Sequence, residues 1–84
     1  MFKIGSLVIL KLNKSSKNYI FCWAENKLNS DIKAIILEPG EVGVYLGLWD
    51  KNKYGDALLW HKVLLGKKEY LFTLDQLDQL EVYE

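Results

Sequence analysis

Eighty-four residues with eleven basic and eleven acidic side chains describe one small domain, residues 1–84, with no room for a second hydrophobic core. Half the residues are hydrophobic, and three Trp, five Tyr and three Phe supply enough bulk for a core that needs neither disulfide nor metal. A lone cysteine, Cys22, excludes an intramolecular disulfide and fits a reducing compartment. Every basic residue is Lys, and the absence of Arg argues against sequence-specific reading of nucleic acid, whose guanine and phosphate contacts favour the guanidinium fork.

The neutral total hides an asymmetry. Residues 1–33 hold six Lys against two acids, residues 34–68 five Lys against four, and residues 69–84 five acids and no Lys, giving +4, +1 and −5. The apolar stretch near the N-terminus has only seven residues between Lys3 and Lys11, too few to span a membrane, and no small-residue cleavage site follows it. A soluble chain without membrane association is expected, in the cytoplasm.

Residues 2–12 (FKIGSLVILKL) read as a first strand kinked at Gly5 and Ser6, with Val8, Leu10 and Leu12 on one face and Leu7 and Ile9 on the other. Two apolar faces imply that a loop or another chain covers the outer side. A polar loop at 13–18 leads to the aromatic run YIFCWA at 19–24, a loop at 25–31, and the β-branched run IKAIIL at 32–37. Pro39-Gly40 suits the centre of a type II turn. GEVGVYLGLW at 40–49 alternates Val42, Val44, Leu46 and Leu48 with Gly43, Tyr45, Gly47 and Trp49, the period of a strand, and its interior glycines mark a bulge or bend. This strand organises the fold.

After the loop DKNKYGD at 50–56, ALLWHKVLL at 57–65 is the next strand. The turn Gly66-Lys67-Lys68-Glu69 joins it to a strand at 70–73 as a hairpin. Leu74, Leu77 and Leu80 are spaced for a single 3₁₀ turn. A last strand at 80–83 returns to pair with the first.

The segments GSLV, PGEVGVYLG, LLWHKVLL and LDQLEVY, taken in this order, resemble the small SH3-like barrels. The likeness covers most of the chain outside residues 13–31, and Ser6 stands where those barrels commonly carry Asp. It implies an all-β, SH3-like barrel of five to six mostly antiparallel strands with a 3₁₀ turn before the last. Short phage-encoded proteins of unassigned role look similar, which implies an accessory, assembly or host-interacting protein in the host cytoplasm or the virion.

No constellation announces a reaction. His61, the only histidine, has no partner that spacing places beside it and, with one distant Cys, cannot build a zinc site. Cys22, between Phe21 and Trp23, reads as a buried, inert thiol. Gly66-Lys67-Lys68 lacks the spacing and the following helix of a phosphate loop. The chain is therefore expected not to be an enzyme and to carry no cofactor or metal.

The aromatics carry the functional expectation. Tyr45 and Trp49 share a face with Gly43 and Gly47, Trp49 leads into the loop that holds Tyr54, and Tyr19, Phe21 and Trp23 alternate together. Tyr19, Trp23, Trp49 and Tyr54 are the expected partner-binding residues, since Trp and Tyr anchor protein interfaces and SH3-like domains dock peptides between aromatic loops. The opposing reading makes the same rings core, filling the gaps left by the glycines. Another protein is the expected partner. Weak nucleic-acid binding is the alternative, as a single-strand platform of Lys11, Lys14, Lys17, Lys27 and Lys33 beside Tyr19 and Trp23 or as a ribosome- or polymerase-associated module of the kind the SH3-like resemblance also implies. A self-assembling structural role, copies pairing through Leu7, Ile9 and open sheet edges, is a third.

Overall fold

Among the described residues seven strands make one antiparallel sheet: β1 (Leu7–Leu10), β2 (Ile20–Glu25), β3 (Ile32–Leu37), β4 (Val42–Leu48), β5 (Trp60–Leu65), β6 (Lys68–Thr73) and β7 (Leu80–Val82). A 3₁₀ helix, Leu74–Gln79, sits between β6 and β7. This computed structural model describes residues 2–12, 19–26, 28–29, 31–49 and 60–83. The strand order is β3-β2-β6-β5-β4-β1-β7.

Each apolar run read from the sequence contains a strand, so five to six is an undercount; in the first run only Leu7–Leu10 is strand, and residues 57–59 of the run 57–65 lie outside the described residues. Gly66, at φ 63°, allows a two-residue turn with Leu65 opposite Lys68, and this draws Lys68 and Glu69 into β6 rather than leaving them in the loop. The 3₁₀ segment runs for six residues, longer than the single turn expected. β7 does return to β1, with Val8 opposite Val82 and Leu10 opposite Leu80.

One core gathers Val8, Leu10, Ile20, Cys22, Tyr45, Val63, Leu65, Phe72 and Leu80, with Ile35, Leu37 and Leu77 packed against it. All seven strands contribute. A flat sheet of seven strands at about 4.8 Å spacing could not bring β3 and β7 to a common core, so the sheet curls. It does not close into a barrel: among the described residues β3 and β7 are the two edges and do not pair with each other.

A side chain spans part of the opening. β2 meets β6 at one register pair, Trp23 opposite Leu71. Two residues back, the Phe21 N–H donates to Gln79 Oε1 at 2.8 Å, and Gln79 Nε2 donates to the Phe21 carbonyl at 2.8 Å and to the Gln76 carbonyl at 3.2 Å. The Gln79 carbonyl accepts from the Lys11 N–H at 2.8 Å. Gln79 thus acts as a one-residue strand that ties β2 to the end of β1, and it is 7% exposed.

β4 inverts the simplest reading of its pattern. Gly43 and Tyr45 face the core, while Val42 and Leu48 are exposed. Gly43 is inside because a Cβ there would run into the Leu64 carbonyl and the Leu65 side chain. Further along, Tyr45 faces Val63 but Gly47 already faces Lys62, so Leu46 and Gly47 together oppose one residue. Gly47, at φ 95°, makes this bulge sterically easy. The extra residue reverses the alternation, and Tyr45 and Trp49 end on opposite faces of the sheet instead of sharing one.

Candidate functional site

The outer face of the sheet carries a second cluster, built by that bulge. Trp49, with its N–H on the Trp60 carbonyl at 2.8 Å, packs with Trp60 and Leu71, and Trp23 and Ile32 close against them. The rings meet edge to face: Phe21 and Trp23 at 5.3 Å between centroids, Trp23 and Trp60 at 5.9 Å, Trp49 and Trp60 at 6.4 Å, with interplanar angles of 87°, 85° and 86°. Such pairs add about 0.5–1.5 kcal/mol each beyond area burial.

Two of the four expected binding residues, Trp23 and Trp49, are therefore brought together, and Trp60 is the link between them. Trp60 was passed over because ALLWHKVLL reads as a uniformly apolar strand; its neighbour His61 turns inward, which sends Trp60 out. Trp49 and Trp60 are buried within the cluster, whereas Trp23, Phe21 and Tyr19 are half-buried. Tyr54 lies outside the described residues. Beside the open end of the string, β3 places Ile36 opposite Phe21 and Ala34 opposite Trp23, and Ile36 is 63% exposed. The indole Nε1 atoms of Trp23 and Trp60 are buried without a hydrogen-bond partner among the described residues.

A second apolar area lies on the same outer face around β1. Leu7 faces Val44 and Ile9 faces Val42, with Leu7 and Val42 exposed. The expectation that Leu7 and Ile9 point outward is met. A Lys11–Glu81 ion pair at 2.7 Å borders this area. Between the two apolar areas stand Lys62 and Glu69, 3.8 Å apart.

The residues with reactive side chains lie in the inner core. His61 is 2% exposed, its Nδ1 is 2.7 Å from the Tyr45 hydroxyl, and its Nε2 has no partner among the described residues. Burial lowers the His61 pKa and raises that of Tyr45. Burial also pushes the Cys22 thiol up to about 12, so it stays protonated and unreactive. Among the described residues no three His, Cys, Asp or Glu side chains are grouped to hold a metal ion, and no helix is long and apolar enough to cross a membrane. Comparison with protein-family models, with curated proteins and with solved structures returned no match.

Proposed function

We propose that this chain is a small, non-enzymatic protein-binding module that docks a partner protein on the outer aromatic strip Tyr19–Phe21–Trp23, backed by Trp60 and Trp49. The observation that carries this reading is the edge-to-face string itself. It holds three tryptophans on the outer side of a sheet whose inner side already has a complete core. Buried indole N–H groups normally find acceptors, and those of Trp23 and Trp60 have none among the described residues; a partner offering main-chain carbonyls would supply them. The single histidine, engaged with Tyr45 inside the core, supports the non-enzymatic part.

The SH3-like assignment belongs to the same proposal. A 3₁₀ helix directly before a last strand that returns to β1 supports it, while the open edges set it apart from a closed barrel. So does the role as a phage accessory or host-interacting protein, which rests on the sequence resemblance alone.

The test is affinity capture from native lysate, with and without nuclease, using wild type and Phe21→Ala, a half-buried position outside both core clusters. The expected result is one stoichiometric protein that survives nuclease and is lost with Phe21→Ala while circular dichroism stays that of wild type. Retention of that protein by Phe21→Ala would sink the aromatic-strip reading, and loss of all partners on nuclease would transfer the assignment to nucleic acid.

A further inference from the structure

The main-chain direction of β3 can be worked out from the Gln79 bridge. Phe21 directs both its N–H and its carbonyl to Gln79, away from β3. In an antiparallel ladder, pairs that exchange hydrogen bonds alternate with pairs that do not. Phe21–Ile36, Trp23–Ala34 and Glu25–Ile32 are therefore the non-bonded pairs, and Ile20–Leu37, Cys22–Ile35 and Ala24–Lys33 the bonded ones. It follows that Ile32, Ala34 and Ile36 point their N–H and carbonyl groups out of the sheet, along an edge that no described strand covers.

The two edges differ in how they are protected. β7 is three residues long, and its Glu81 is held by Lys11. β3 is six residues long, carries one charge, Lys33, and has neither proline nor bulge within it. A long apolar edge of this kind is a template for another strand, and only an extended chain satisfies a row of alternate main-chain donors and acceptors.

We infer that β3 pairs with β3 of a second copy, antiparallel about a two-fold axis, with Ala34 facing Ala34 of the partner subunit. This register sets Ile32 against the partner's Ile36 and Ile36 against the partner's Ile32, so all three outward residues exchange both main-chain bonds. Lys33 then faces the partner's Ile35, and no like charges are opposed. The exposed Ile36, flanked by Phe21 on one side, gains a neighbour on the other. A chain of zero formal net charge has no long-range repulsion to resist this association. The contact is isologous and closes at two copies. It extends the sheet at its edge and leaves the face of the aromatic strip uncovered, so it is independent of heterologous docking.

The experiment is sedimentation equilibrium on the full chain across a hundredfold concentration range, with Ala34→Glu, Ala34→Lys and Ala34→Pro. Wild type is expected to dimerise reversibly. Each charged variant alone should associate at least tenfold more weakly, while an equimolar mixture of the two recovers a one-to-one heterodimer, a rescue that simple damage to the fold would not produce. Ala34→Pro should be monomeric with the circular dichroism of wild type, because an outward N–H at an edge is where a strand tolerates proline. A wild type that stays monomeric throughout, or an Ala34→Glu protein that dimerises as well as wild type, overturns the inference.

Discussion

Replacing Gln79 by Leu keeps the volume of the side chain and removes its amide. Three hydrogen bonds disappear, and the Phe21 N–H and carbonyl lose the partner that Gln79 gives them on that side of β2. A buried main-chain group left unsatisfied costs about 1–3 kcal/mol. The site is part-buried, so water offsets some of the loss, and about 2–3 kcal/mol is expected for the pair of groups. An 84-residue domain is stable by roughly 4–13 kcal/mol, so this is a large fraction, worth about 10–20 °C in Tm. Urea unfolding followed by tryptophan fluorescence reads it directly, and hydrogen exchange adds a local signature in lost protection of the Phe21 amide. Gln79→Glu separates the two roles of the amide: its carboxylate still accepts from the Phe21 N–H but opposes the Phe21 carbonyl, whereas the protonated acid can donate. The folded carboxyl then titrates above its ordinary value of about 4.3. Relative to wild type, Gln79→Glu is least destabilised in acid, and the deficit grows as pH rises from about 4.3 through that titration. A Gln79→Leu protein within about 0.5 kcal/mol of wild type, at unchanged denaturant slope, would refute the idea that this side chain substitutes for a strand.

Two further outcomes rest on the inner core. Burial holds the His61 pKa below its usual 6.5, so the unfolded chain takes up a proton that the folded chain resists; stability is full above about pH 6.5 and declines as pH falls below it. Urea midpoints measured from pH 8 to pH 5 should show this slope in wild type and not in His61→Phe, and Tyr45→Phe should cost about 1–2 kcal/mol through the lost buried hydrogen bond. Cys22, fully buried with its pKa near 12, should react with a thiol reagent no faster than the chain unfolds; rapid labelling of the native protein would contradict its place in the core.

Much of the fold is local in origin and was legible. Pro39-Gly40 turns the chain, with Gly40 at φ 100° and its N–H on the Leu10 carbonyl, because Pro presets one dihedral and Gly accepts the other. The β5–β6 hairpin follows from Gly66, and the outward aspect of Leu7 and Ile9 follows from strand alternation. The candidate site was half legible: Trp23 and Trp49 were named from residue type, but the side chain that joins them, Trp60, sits in a run apolar at nearly every position and gives no periodic signal.

By itself, then, the sequence determined which apolar runs hold strands, where the chain turns at Pro39-Gly40 and Gly66, and that the last strand returns to the first. Those properties reside in dihedral preferences and apolar runs of a few residues. Only the tertiary structure decided which face of each strand is inside. Along GEVGVYLGLW either alternating set can serve as core, and the choice was made by the close approach of Leu64 and Leu65 to Gly43 and by a one-residue bulge at Gly47. That shift places Tyr45 against His61 within and Trp49 against Trp60 without. A strand has period two, so a single inserted residue exchanges its faces, and no count of apolar residues along the chain records where that insertion falls.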